Sequence, residues 1–182
     1  MIVPAQVSRA IAGTCSTMPV RGEIVVNIQL KPTEDQAQLL LETLERCNAA
    51  CNEISRLGFN AKKTRQYDLH KLCYHTVREQ FEIGAQATVM CIGKVAEAYK
   101  TPSNRTQSVF RKRASQPFDE RIFRFLKSDN ISIWLLSGRE QLPFVCGDRQ
   151  RKLLPFQRGQ VDLILIGRKW YIGCVCHVPE PV

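Results

Sequence analysis

Eight cysteines and three histidines stand in a chain of 182 residues, enough soft and imidazole ligands to raise metal chemistry first. Their spacing argues against it. The thiols sit at 15, 47, 51, 73, 91, 146, 174 and 176, and no C-x-x-C occurs. Cys174, Cys176 and His177 make a C-x-C-H, without the second ligand pair that a zinc site requires. His70 and His75 are five apart on a helical stretch, which puts them about 140° apart around its axis and makes them poor co-ligands. Cys47 and Cys51 instead extend a stripe of Leu40, Leu44 and Ile54 in steps of four and three, so they read as small hydrophobes of a helix core. No metal or other cofactor is expected.

The carboxylates point the same way. Two-metal phosphodiester cleavage needs several of them converging on ions about 3.5 to 4 Å apart. Glu34 and Asp35 fit the first turn of a helix, where the dipole favours negative charge. Asp119 and Glu120 open a strand amid arginines and read as ion-pair partners, and Asp162 enters a strand alone. No Gly-rich phosphate loop, G-x-S-x-G elbow or H-E-x-x-H is present. Catalysis by this chain alone is not expected.

Binding chemistry is better represented. "KKTRQYDLHKLCYH" interleaves Lys62, Lys63, Arg65, Tyr67, His70, Lys71, Tyr74 and His75. Cations of this kind meet phosphates, and Tyr and His rings stack on bases. Rings that stack on bases and rings that pack on a neighbouring helix look alike in sequence, so Tyr74 fits either role. A second basic group is Arg111, Lys112 and Arg113, on a loop expected to be flexible. A third comprises Arg139, Arg149, Arg151, Lys152 and Arg158 around connectors between strands. Phosphate contact and plain solvation are both open to these two groups. Arg168 and Lys169 read as solvating residues of a hairpin tip, and Trp134 and Trp170 as barrel core.

The elements that must carry these residues can be read from period and punctuation. "EIVVNIQL", 23–30, is β-branched and of strand length. Thr33 and Gln36 then stand at capping-box spacing, which predicts a helix from 33 to Leu57, ended by Gly58. Leu69, Leu72, Cys73, Val77 and Phe81 recur at helical spacing from Asp68 until Gly84. Val89, Ile92, Val95, Ala96 and Tyr99 mark a third helix. After residue 115 the texture changes. "FDERIFRFL" reads as one strand. A hairpin follows, turning near Ser137 and Gly138, and then a basic connector over 149–159. A second hairpin turns at Gly167, Arg168 and Lys169. Closely spaced hairpins without an intervening long helix predict a small OB-like antiparallel β-barrel. The fold expected is thus α+β. Residues 21–31 and 116–178 form the barrel, 32–100 a three-helix insertion and 101–115 a basic loop. Residues 1–20 have no clear period and read as a disordered tail.

Charge fits polyanion binding. The chain holds 26 Lys and Arg against 17 Asp and Glu, net +9. Residues 101–182 carry 14 of those cations and seven of the acids, so most of the excess lies there. Nucleic acid is the leading partner class. No apolar run approaches the roughly 18 residues of a membrane span, and the start lacks a signal peptide's pattern. A cytoplasmic location with reduced thiols is expected.

The order of these pieces resembles the N-terminal half of the TnpB family, the OrfB transposase-like proteins of insertion sequences, related to the compact type V CRISPR effectors. The likeness rests on "IQLKPTEDQ" (28–36), "ACNEIS" with Asn52, "IGAQATVMCIGKVAEAYK" (83–100), "FDERIFRFLKSDNISIWLLSGREQLPF" and "VDLILIGRKWYIGCVCHVPEP". It spans roughly 24–182. The resemblance implies a wedge-like barrel and recognition helices that grip guide RNA and read double-stranded DNA beside the target. In that family a RuvC-like nuclease follows the "pep" linker. The resemblance therefore implies that 179–182 is a truncated linker and that the nuclease's metal ligands and zinc ribbon have no counterpart here. The alternatives are one half of a split RNA-guided endonuclease, with a separate RuvC-like chain as partner, and an accessory subunit that binds protein through its helices.

Overall fold

The computed structural model describes residues 20–101 and 106–179. The expected tail and linker fall outside these residues, except that Val20 and Pro179 pair with each other at the ends of two neighbouring strands. The elements run β1 (Val20–Leu30), α1 (Glu34–Asn60), α2 (Gln66–Phe81), α3 (Ala85–Ala98), β2 (Gln116–Phe118), β3 (Phe123–Phe125), β4 (Asn130–Leu135), β5 (Gly138–Val145), α4 (Asp148–Leu153), β6 (Gln157–Ile166) and β7 (Lys169–Pro179). A 3₁₀ turn over Leu154–Phe156 joins α4 to β6. The strands form one antiparallel sheet in the order β2-β6-β7-β1-β5-β4-β3. Its two edge strands, β2 and β3, are joined by residues 119–122 alone, which draws the edges together into a nearly closed barrel. The fold is α+β, and the three long helices are inserted between β1 and β2, as the pattern predicts.

"FDERIFRFL" is not one strand. The Asp119 carboxylate accepts the Arg121 amide at 3.1 Å, and the Asp119 carbonyl accepts the amides of Ile122 and Phe123 at 3.1 and 2.9 Å. That turn breaks the run into β2 and β3. Asp119 also accepts Gln86 Nε2 at 2.6 Å from α3, so it shapes a turn rather than serving an ion pair. An aspartate bonding its own following backbone is a strong turn former.

Strand alternation fills the barrel. Ile131, Ile133 and Leu135 of β4 point inward beside Val26, Ile28, Leu142, Leu163, Trp170 and Ile172. Leu40 and Leu44 of α1 join this cluster. A second core lies among the helices, built from Cys47, Cys51, Ile54, Leu69, Cys73, Val77, Cys91, Ile92 and Val95. Trp134 does not share the interior with Trp170. It falls on the opposite face of β4, packs against both cores, and lies over Gly84 at the start of α3. A Cβ at Gly84 would come within 3.0 Å of its ring, so glycine permits the contact.

The capping box predicted at α1 is present. Thr33 Oγ1 accepts the Gln36 amide at 3.3 Å and Gln36 Oε1 accepts the Thr33 amide at 3.2 Å. The other end departs from expectation. Gly58 lies inside α1, buried where α2 crosses, and a Cβ there would overlap Leu69 Cδ2 and sit 2.7 Å from the Lys63 carbonyl oxygen. Close approach of two helices, not chain termination, explains this glycine.

The seven described cysteines are free thiols. Burial pushes Cys73 to about 11 and Cys174 to about 12, so both stay protonated and pack as hydrophobes. Cys174 and Cys176 face the barrel core, whereas His177 is partly exposed with Nε2 3.6 Å from Glu23. Among the described residues no helix is long and apolar enough to cross a membrane.

Candidate nucleic-acid interface

Helix α2 turns Leu69, Cys73 and Val77 into the helical core. Its other side carries Tyr67, Lys71, Tyr74 and Arg78, a stripe in steps of four, three and four, with His70 and His75 beside it. Residues at this spacing are neighbours on a helix surface. The Lys71 ammonium lies 4.4 Å from the centre of the Tyr67 ring. His70 and Tyr74 stack at 4.5 Å with 17° between their planes, and His75 meets Tyr74 edge-on at 5.0 Å. Tyr67 is 68% exposed. Tyr74 is half-buried, packing against the helical core and stacking on His70, so the structure shows the packing role of the two left open by the sequence.

Lys62, Lys63 and Arg65 are exposed on the segment leading into this helix. Among the described residues no carboxylate lies within ion-pair distance of Lys62, Lys63, Arg65, Lys71 or Arg78. Exposed rings and the cations Lys71 and Arg78 therefore share the outer face of α2, and Lys62, Lys63 and Arg65 are exposed on the segment just before it. Arg78 was not singled out from the sequence, although it continues the Tyr67–Lys71–Tyr74 stripe by one more step of four.

The second basic group is held in place. The expected flexible loop is tied along α1 over residues 108–114. Asn52 pairs with the Phe110 backbone in both directions, at 3.0 and 2.7 Å. Ser55 Oγ donates to the Ser108 carbonyl at 2.6 Å, and Asn48 Nδ2 to that of Ala114 at 2.8 Å. Asn52, one of the residues carrying the family resemblance, thus straps this segment to its helix. Lys112 Nζ and Arg113 Nε reach the two oxygens of Glu45, at 3.0 and 3.1 Å, which leaves Arg111 as the one of the three with no carboxylate partner among the described residues. Burial alone would raise the Glu45 carboxyl, but the two cations outweigh it and hold it below its ordinary 4.5. The pairing is therefore complete above 4.5 and is lost as pH falls through the lower folded value. Glu45→Gln frees both cations at neutral pH. RNA affinity, read by fluorescence anisotropy, then rises about threefold and the salt slope steepens by one to two if this segment meets phosphate. An unchanged slope assigns Lys112 and Arg113 to strapping alone.

The third group is split: Arg149, Arg151 and Lys152 sit together on α4, whereas Arg139 lies apart from them. Arg139 bonds Ser132 Oγ at 3.0 Å and the Arg121 carbonyl, near the turn end of the β4–β5 hairpin. Arg151 grips Asp129 with two bonds of 2.6 and 2.9 Å, at the hairpin's other end, about 16 Å away along the strand. The Arg151 guanidinium holds Asp129 below its ordinary carboxyl value. Arg149 is exposed with Lys152 on α4, and Arg158 bonds the carbonyls of Pro155 and Gln157. Arg168 and Lys169 are exposed at the β6–β7 turn, as expected.

Of the three basic groups, only the one on and before α2 combines unpaired cations with exposed rings. Compared with protein-family models and with curated proteins, the chain finds no match in either.

Proposed function

We propose that this protein binds nucleic acid through the outer face of α2 and the segment before it, with Lys62, Lys63, Arg65, Lys71 and Arg78 on phosphates and Tyr67, His70 and Tyr74 against bases. The observation that carries the reading is the coincidence of Lys71 and Arg78, without counter-ions among the described residues, with exposed rings on one helix face, next to Lys62, Lys63 and Arg65 of the segment before it. Charge without counter-ions draws polyanions, and rings give every base a stacking surface. The finer reading is a guide-RNA and target-adjacent DNA recognition half of a TnpB-like RNA-guided nuclease. Its support is the motif resemblance together with a barrel that carries an inserted helical unit. In that reading these residues hold polyphosphate, and cutting belongs to a RuvC-like nuclease.

Titration of a labelled RNA hairpin against salt tests the proposal. Five cations on phosphate predict log K falling linearly with log salt, with a slope of about −4. Absence of binding at 50 mM salt, or a slope near zero, overturns it. The rival reading, an accessory subunit that binds protein through its helices, draws on Phe59 of α1 and Leu72 of α2, both large apolar side chains left exposed. An apolar contact of that kind is nearly indifferent to salt.

A further inference from the structure

A groove separates α3 from the barrel edge formed by β2 and β6. Its main part has a volume of about 460 Å³, within the range of small-molecule sites. Val89 and Met90 of α3 and Pro117 of β2 give it apolar walls, Gly93 leaves its floor open, and Gln160 and Asp162 of β6 line the far side. A second cavity of about 340 Å³ shares Gln66, Gly93 and Glu97 with it and extends to Arg65. The groove therefore runs from the barrel edge to the foot of α2, where the candidate interface begins.

Asp162 is the chemically unspent group in it. The carboxylate is half-buried and makes no hydrogen bond or ion pair within the described structure. Its sheet neighbours are Pro117 and Gly173, neither of which has a polar side chain to offer. Lys94 lines the same groove but is already committed. Its ammonium donates to Asn48 Oδ1 at 2.7 Å, the Ser115 carbonyl at 2.6 Å and Gln116 Oε1 at 3.4 Å, which uses all three protons. It acts on Asp162 only as a fixed nearby charge. A half-buried carboxylate with two vacant oxygens, between apolar walls, calls for a flat ligand with two adjacent N–H donors.

Among nucleobases, guanine alone presents that pair, N1–H and N2–H, side by side on its Watson–Crick edge. Adenine and cytosine offer one amino group beside a bare ring nitrogen, and uracil one N–H between carbonyls. We propose that this groove receives one unpaired guanine, its N1–H and N2–H edge on the Asp162 carboxylate and its ring between Met90 and Pro117. In this proposal the Gln160 amide, on the same wall as Asp162, donates to guanine O6, and Arg65, in the adjoining cavity, meets the phosphate. How the base arrives rests on the nucleic-acid reading above; the groove's chemistry does not.

The test uses guanosine monophosphate as probe, with the adenosine, cytidine and uridine monophosphates as controls, titrated into the full chain by NMR. Saturable shifts for the guanine nucleotide, about tenfold tighter than for the others, are expected. Asp162→Asn keeps the shape but presents an amino group to the ligand, and levels the four affinities. Gly93→Leu fills the groove and abolishes binding by a different route. Lys71→Glu lies outside the groove and leaves nucleotide binding unchanged while weakening RNA. Equal affinity for all four nucleotides, or a guanine preference that survives Asp162→Asn, overturns the inference. RNA binding without guanine preference sinks the groove and spares the α2 reading. Guanine preference lost in Asp162→Asn, with no RNA binding at low salt, does the reverse.

Discussion

The double variant Lys63→Glu, Lys71→Glu is expected to bind an RNA hairpin about 100-fold more weakly at 150 mM salt, with the salt slope flattened by about two. Both residues are exposed and make no ion pair among the described residues, so no internal salt bridge is lost with them. Lys71 also sits over the Tyr67 ring, and a carboxylate there repels both the phosphate and the face of the ring. The inward residues Leu69, Cys73 and Val77 are untouched, so thermal unfolding followed by circular dichroism stays near that of the parent. Lys63→Arg with Lys71→Arg keeps the charge and retains the slope. Affinity within twofold of the parent in the glutamate pair would remove α2 as the interface.

Asn48→Ala is expected to be the most damaging single substitution to stability outside the apolar cores. Asn48 is fully buried on α1. Its amide donates to the carbonyls of Leu44 and Ala114, and its oxygen accepts the Lys94 ammonium. Through that one side chain α1, α3 and the strap over residues 108–114 are tied together at the threshold of β2. Alanine leaves the Ala114 carbonyl and the Lys94 ammonium short of a partner in a partly desolvated site, at a cost of about 3 kcal/mol. For a chain of this size the midpoint of thermal unfolding falls by about 6 to 12 °C. The double variant with Lys94→Met should lose less than the two single losses combined, because each removes the other's reason to be there. Additive losses would mean that the two residues act separately.

Local chemistry was legible where a signal needs only near neighbours. The Thr33–Gln36 box is read from a spacing of three, and it forms because both bonds close within one helical turn. The amphipathic face of α2 and the inward row of β4 are matters of period. The stripe that became the candidate interface was visible for the same reason, short of Arg78.

What failed to show in the sequence depends on partners distant along the chain. Gly58 looks like a helix end until Leu69 is brought against it. Trp134 looks like barrel core until Gly84 opens a seat for it on the outside. Lys112 and Arg113 look free until Glu45, more than 60 positions earlier, takes both.

Composition and periodicity alone determined that this chain is basic, α+β, and built as a barrel around an inserted helical unit, because hydrophobic period and turn chemistry act over a few residues. Which cations find no partner among the described residues, and that Asp162 lines a groove without one, only the tertiary structure decided. Counter-ions and hydrogen-bond partners are chosen by distance in space, and the packing of α1, α2 and α3 against the barrel sets those distances.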